Sequence, residues 1–256
     1  MRGWSSKLKK LALVVLAVVF PAGVGTDAAA QTRFDGWASV VVAGDWRDGS
    51  GKPIEAFDNA RRDLSRSILN AGLPQSLHAS VTLNPAKPDK LSPTDAVKTI
   101  EATLTQGARG CLFYFTSHGS PGNLTFGDTR GLSPTDMAVF LRRWCEGKPT
   151  VLVLSACYSG SFVDALRAPN RMILTAARRD RSSFGCGEGE TYPWFDACFL
   201  ESLPDATDFL DAANRTRRCV ATRESAAEIT LPSEPQMFIG AEMQIRLPTL
   251  RFASRQ

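Results

Sequence analysis

Histidine is scarce in this chain: its 256 residues include only two, His78 and His118. The six cysteines stand at spacings that match no zinc-binding pattern, and two histidines cannot complete one. We therefore predict no metal site. His78 stands at the start of a strand-like run with no acid or cysteine beside it, which indicates a structural role and leaves His118 as the candidate for catalysis.

The sequence also lacks an apolar run long enough to cross a bilayer, which takes about 20 residues. Residues 11–20 form an unbroken apolar run. Basic residues precede it and Ala28, Ala29 and Ala30 follow it, which is the layout of a secretory signal peptide cleaved after Ala30. We expect residues 1–30 to be that signal, residues 31–256 to form a single domain, and the mature protein to be periplasmic or secreted, with no stable membrane span.

An excess of basic charge is absent once that segment is removed. Residues 1–30 hold four lysines and arginines and one acid, so the net charge falls from +4 to +1. Charge therefore gives no reason to expect a nucleic-acid partner.

Strand-like and helix-like segments alternate along the rest of the chain. Strand-like runs occur at residues 37–44, 77–83, 110–116, 150–155, 171–176 and 235–240. Helices are predicted at residues 54–71, 92–106, 133–147, 194–203 and 207–222, and a small hairpin or loop at 121–128. Two of these helices begin with Ser-Pro-Thr-Asp, a typical helix start. The alternation predicts an α/β fold with a mainly parallel sheet covered on both faces.

Two of the predicted strands end in chemically marked residues. His118 and Gly119 follow the strand at 110–116, and Cys157 follows the strand at 150–155. Ligands of open α/β sheets bind outside the carboxyl ends of the strands. If these two strands are neighbours, His118 and Cys157 face each other across one crevice.

Such a pair suits thiol chemistry. A thiol needs a base such as imidazole, which can afterwards protonate a leaving amine. Gly119 lets its N–H approach a substrate closely, and the N–H of Cys157 is the natural second donor to an oxyanion. Each residue alone also has an ordinary structural interpretation, since cysteine is often buried and histidine often precedes glycine in a turn. Their combination favours a Cys–His active site.

The other cysteines bear on folding. An oxidising compartment permits disulfides, and Cys111, inside an apolar run, is predicted to be a buried thiol. With Cys157 kept free, Cys145, Cys186, Cys198 and Cys219 remain. They allow three pairings, and the sequence does not choose among them.

The motifs resemble a known family. Residues 115–120 (Phe-Thr-Ser-His-Gly-Ser) and 155–161 (Ser-Ala-Cys-Tyr-Ser-Gly-Ser) resemble the two catalytic motifs of the legumain-like cysteine peptidases, family C13 of the caspase-like clan. Residues 175–186 and 192–196 resemble the family segment that walls the primary specificity pocket. The resemblance covers residues 37–240 and is to a short, bacterial type of the family.

The resemblance implies a caspase-like three-layer α/β/α sandwich with a mainly parallel sheet of about six strands. It implies a peptide or protein substrate, no cofactor, and cleavage through a thioester acyl-enzyme. It carries Cys157 and His118 over as the catalytic dyad, with the amides of Gly119 and Cys157 as the oxyanion hole.

The same resemblance implies a substrate pocket. By position, Ser183 and Asp196 match pocket residues of the asparagine-specific members, and Ser155 replaces an acid that those members carry. Polar groups there predict a preference for a polar or basic residue at the cleavage position, although Asp196 also suits a helix cap. From the residues alone, Asp45 is a candidate to orient His118, although its position at a strand end favours a loop-capping role.

The sequence therefore favours a cysteine endopeptidase. A transpeptidase of the same fold is one alternative, because the choice between water and an amine at the acyl-enzyme depends on how the site admits water. A catalytically silent peptide-binding module is another, although such modules usually lose the histidine or the cysteine.

The signal peptide generates the first testable prediction. The mature protein should begin at or near Gln31 and accumulate outside the cytoplasm, because the small residues before Gln31 suit the signal peptidase. N-terminal sequencing of the protein from its native host checks this. Recovery of Met1 on protein from the cytoplasmic fraction would contradict it.

Overall fold

The computed structural model describes Met1 and residues 33–253, so the predicted signal peptide lies, apart from Met1, outside the described residues. The strands are β1 (Trp37–Ala43), β2 (His78–Thr82), β3 (Gly110–Thr116), β4 (Gly119–Ser120), β5 (Asn123–Leu124), β6 (Thr150–Ser155), β7 (Arg171–Thr175) and β8 (Gln236–Ile239). The helices are α1 (Ala56–Asn70), α2 (Pro93–Gln106), α3 (Pro134–Cys145), α4 (Val163–Leu166), α5 (Trp194–Ser202), α6 (Phe209–Ala226) and α7 (Ala241–Arg246). None of the helices within residues 33–253 has the length and apolar character that a bilayer span requires.

A six-stranded sheet forms the middle of the fold, in the order β2-β1-β3-β6-β7-β8. The first five strands are parallel, and β8 runs antiparallel to β7. β4 and β5 form a separate small hairpin. Every residue of β1, β3, β6 and β7 is buried, because helices cover the sheet on both faces. This confirms the predicted, mainly parallel sheet of about six strands.

Alternate side chains of each strand enter two separate cores. On β3, Leu112 and Tyr114 pack with residues of α1, α5 and α6, whereas Phe113 and Phe115 pack with residues of α2 and α3. The period of two along a strand produces this division. The result is a three-layer α/β/α sandwich, as predicted.

The two Ser-Pro-Thr-Asp stretches begin α2 and α3, as their composition predicts. The hydroxyl of Ser92 accepts a hydrogen bond from the backbone N–H of Asp95 at 3.1 Å. Ser133 and Asp136 form a reciprocal capping box, with hydrogen bonds of 3.2 and 3.0 Å. These caps satisfy amide groups that the first helical turn leaves unpaired, so they fix where each helix leaves the preceding loop.

Two disulfides brace the layers. Cys111 of β3 is bonded to Cys145 at the end of α3, and Cys198 of α5 is bonded to Cys219 of α6. The prediction of a buried thiol at Cys111 is therefore wrong, because its side chain enters the same core as the last turn of α3. The two free cysteines are Cys157 and Cys186.

This pairing predicts a thiol count. Alkylation of the denatured, unreduced protein should modify two cysteines, Cys157 and Cys186, and mass spectrometry of peptides identifies them. Replacing Cys111 and Cys145 together by alanine should lower the free energy of unfolding by about 2–4 kcal/mol, because the unfolded chain is then less constrained. Cys186→Ala is the control and should cost less. Alkylation of Cys111 without reduction would contradict the pairing.

Candidate active site

The candidate site lies at the carboxyl ends of β3 and β6. These strands are parallel neighbours, and their last residues, Thr116 and Ser155, are register partners. His118 and Cys157 each follow two residues beyond these partners, at the same edge of the sheet. The sequence placed His118 and Cys157 across one crevice only if β3 and β6 are neighbours, and the sheet order confirms that they are.

The two strand ends are in direct contact. A Cβ at position 119 would collide with the carbonyl oxygen of Cys157 and would lie 3.1 Å from the Cβ of Ala156. Only glycine allows so close an approach of the two backbones. Gly119 also opens the β4–β5 hairpin, so the segment that carries His118 turns away immediately after this contact.

Cys157 is half-buried, and its sulfur lies against Ser183. The backbone N–H of Ser183 donates to Sγ at 3.2 Å, and the Ser183 hydroxyl is 3.5 Å away. Tyr158 then adopts a left-handed backbone conformation, with φ of 57°, and its N–H donates to the carbonyl of Arg181. Left-handed non-glycine residues tend to occur at functional sites, where the surrounding structure holds them in place. Among residues 33–253, nothing accepts a hydrogen bond from the N–H of Cys157.

The imidazole of His118 is fixed by a backbone carbonyl. Its Nε2 lies 2.7 Å from the carbonyl oxygen of Arg47, and its ring packs edge-on against Phe57 at 5.0 Å between centroids. A carbonyl oxygen only accepts hydrogen bonds, so Nε2 must carry the proton. In the neutral ring Nδ1 is then the basic atom.

Asp45 holds its own loop, which is the loop-capping role that the sequence favoured over a direct orientation of His118. Its Oδ1 accepts from the N–H of Trp46 at 2.8 Å and from Nε of Arg47 at 2.8 Å. A second carboxylate, that of Asp128, binds the same guanidinium at 2.8 Å. Asp45 therefore holds the loop whose carbonyl contacts the imidazole. Sequence reasoning missed this carbonyl because a backbone oxygen has no signature in the residue type.

Two of the three predicted pocket residues are inaccessible. Asp196 is fully buried, and its oxygens accept from the hydroxyls of Tyr114 and Thr116, each at 2.6 Å. Ser155 is 3% exposed and interacts with the same carboxylate. A substrate side chain cannot reach either group in this structure, so Ser183 is the one predicted pocket contact that stays available to support a polar or basic preference.

Ser183 is the predicted pocket residue that remains accessible, and a second cysteine lies close to it. Cys186 packs against a small apolar cluster that contains Ile54 and Phe57. Burial, and after it the neighbouring Cys157, raises the pKa of the Cys186 thiol to about 11. The cleft therefore contains two thiols. In the sequence, Cys186 ends the stretch 175–186 that resembles the family's pocket wall, but nothing there assigns its thiol a role.

The residues within 33–253 offer little to a metal ion. The one group of candidate ligands is Cys198, Glu201 and Cys219, and the disulfide removes both thiolates. His78 pairs through Nδ1 with the hydroxyl of Ser39 at 2.7 Å. Burial lowers the pKa of His78 to about 4, so the ring is neutral at pH 7.

Comparison with known proteins agrees with this geometry. The model of the Peptidase C13 family matches residues 94–228, more than half of the chain, and the matched segment contains both His118 and Cys157. No curated protein matches the chain in sequence. Among solved structures, caspase-1 from Spodoptera frugiperda is similar, with a TM-score of 0.58 and 17% identity over 79% of this chain and 86% of that one. At that identity the likeness shows the fold, which is caspase-like. Family and fold together support a cysteine-peptidase type of function, and the chain belongs to the Peptidase C13 family.

Proposed function

We propose that the protein is a cysteine endopeptidase in which Cys157 is the nucleophile and His118 its acid–base partner. The observation that carries the proposal is the contact between the two strand ends: β3 and β6 pair in register, and Gly119 packs on the backbone of Cys157. A structural cysteine needs no such arrangement, whereas acyl transfer needs a base and oxyanion donors beside one nucleophile.

The proposed reaction has two stages. His118 takes the proton of the Cys157 thiol at Nδ1, and the sulfur attacks the peptide carbonyl carbon. The N–H groups of Gly119 and Cys157 donate to the resulting oxyanion. The imidazolium then protonates the leaving amine, which leaves a thioester on Cys157. Water, activated by His118, hydrolyses this thioester and releases the free enzyme.

Ser183 is the residue we assign to substrate contact. Its backbone and hydroxyl both lie against the sulfur of Cys157, so a peptide bound for attack must pass beside it. The carbonyl of Phe184 accepts a hydrogen bond from the N–H of Trp194 at 3.0 Å. This bond ties the substrate wall to the start of α5.

We also propose that the protein acts outside the cytoplasm, in the periplasm or as a secreted enzyme. The two disulfides support this, because reducing compartments rarely keep structural disulfides. The predicted signal peptide supports it independently.

The dyad generates the central prediction. Cys157→Ala and His118→Ala should each lower kcat/KM for peptide hydrolysis by at least about a thousandfold, and the double variant should be no worse than the single ones, because residues that act as a unit do not contribute additively. Steady-state kinetics on a peptide found by library screening measures this. Thermal unfolding shows whether each variant is folded.

Cys186→Ala is the matched control, since it removes the other thiol of the cleft and should retain most of the activity. Equal cleavage by the wild type and Cys157→Ala would overturn the proposal. Product analysis in the presence of a free amine separates hydrolysis from transpeptidation.

Gly119 generates a second prediction. Gly119→Ala should lower kcat by roughly a hundredfold, because its Cβ would push the His118 segment off the Cys157 backbone by part of an ångström or more. Gly49→Ala is the control, since nothing lies within 4 Å of a Cβ added there. Full activity in folded Gly119→Ala would show that the close approach is not needed for catalysis.

A further inference from the structure

We propose that Asp196 is a positioning residue for the dyad, not a pocket residue that reads the substrate. The inference rests on the proposed function. Asp196 lies in the first turn of α5, and its two carboxylate oxygens bind Tyr114 Oη and Thr116 Oγ1 of β3, each at 2.6 Å. The hydroxyl of Ser155, on β6, interacts with the same carboxylate. One side chain therefore joins a helix to the two strands that precede His118 and Cys157.

The register explains why this contact reaches the site. Thr116 and Ser155 are partners at the ends of β3 and β6. Thr116 stands two residues before His118, and Ser155 stands two residues before Cys157. The carboxylate therefore lies next to the strand ends that carry the proposed dyad. Short O–H···O⁻ bonds of this kind are roughly twice as strong as neutral ones and have narrow geometry. A shift of the carboxylate would move both strand ends.

The same helix also holds the substrate wall. α5 begins at Trp194, whose N–H donates to the carbonyl of Phe184, one residue after Ser183. Ser183 in turn donates to the sulfur of Cys157. Asp196 thus fixes α5 against the strands, and α5 fixes the wall against the nucleophile.

The environment of the carboxylate supports a positioning role over substrate contact. Asp196 is fully buried, and its partners on the sheet are hydroxyl groups without charge. Burial raises its pKa to about 6, against the lowering effect of the three hydroxyls, so it is mostly ionised at neutral pH. A buried carboxylate keeps its charge only where donors surround it, and here the strand hydroxyls supply them.

The test uses Asp196→Asn in the full mature protein. An amide keeps the shape but places two N–H donors in a site built from hydroxyl donors. We expect kcat to fall by roughly a hundredfold with little change in KM or in the cleavage profile of a peptide library. Alkylation of Cys157 by iodoacetamide, followed by peptide mass spectrometry, should slow, and the midpoint of its pH profile should shift. Thr116→Val should do the same to a lesser degree, and its effect should not add to that of Asp196→Asn.

Glu224→Gln is the matched control. Glu224 is 3% exposed and accepts from the N–H of Ser233 at 3.0 Å, on a different helix from the site. It should lower the melting temperature while leaving kcat and the alkylation profile of the folded protein unchanged. If Asp196→Asn behaves in the same way, its role is only structural and the proposal is overturned. A changed cleavage profile with normal Cys157 alkylation would instead make it a pocket residue.

Two safeguards keep the outcomes distinct. If Asp196→Asn does not fold, Tyr114→Phe and Thr116→Val leave the carboxylate in place and remove one donor each, and normal kcat in both would overturn the proposal. If the wild type shows no cleavage that depends on Cys157, the proposed function itself fails, and this is known before any variant at position 196 is compared.

Discussion

The parallel pairing of β3 with β6 is the constraint on which the rest of the site depends. It brings the ends of two strands, otherwise far apart in sequence, to one point on the edge of the sheet. The hairpin that follows β3 then has to begin with a glycine, because the backbone after Thr116 meets the backbone of Cys157. The loop after β1 has to close over His118 so that its carbonyl meets the imidazole. The glycine at position 119 and the course of the loop after β1 therefore both follow from where the sheet places the ends of β3 and β6.

Burying a carboxylate in the core costs free energy, and here the buried carboxylate lies next to the paired ends of β3 and β6. Asp196 is fully buried, but it faces the one part of the sheet where β3 and β6 present hydroxyl side chains to the helical layer. If apolar residues replaced Tyr114 and Thr116, the strands could pack against α5 without any buried carboxylate. Such residues would leave the strand ends held only by nondirectional contacts. Hydrogen bonds of defined length are better suited to fixing the proposed dyad, because they lose strength steeply when their angles change.

The sequence was sufficient for those parts of the fold that repeat a local rule. Continuous apolar runs identified the central strands, and Ser-Pro-Thr-Asp identified the starts of α2 and α3, because each signal lies within a few residues. His118 and Cys157 were singled out as candidates because both follow such strands. The orientation of His118 by the Arg47 carbonyl, the burial of Asp196 and the disulfide of Cys111 could not be found in this way. Each depends on which segments meet in space, and residue type does not record that.

The two disulfides hold the same elements in place. Cys111 lies on β3, the strand that leads to His118, and its bond to Cys145 anchors that strand to α3. Cys198 lies on α5, two residues after Asp196, and its bond to Cys219 anchors that helix to α6. The two covalent links therefore brace, on opposite faces of the sheet, the strand and the helix that the carboxylate joins. Cys157 and Cys186 take part in neither link, so both disulfides can form while the proposed nucleophile stays unpaired.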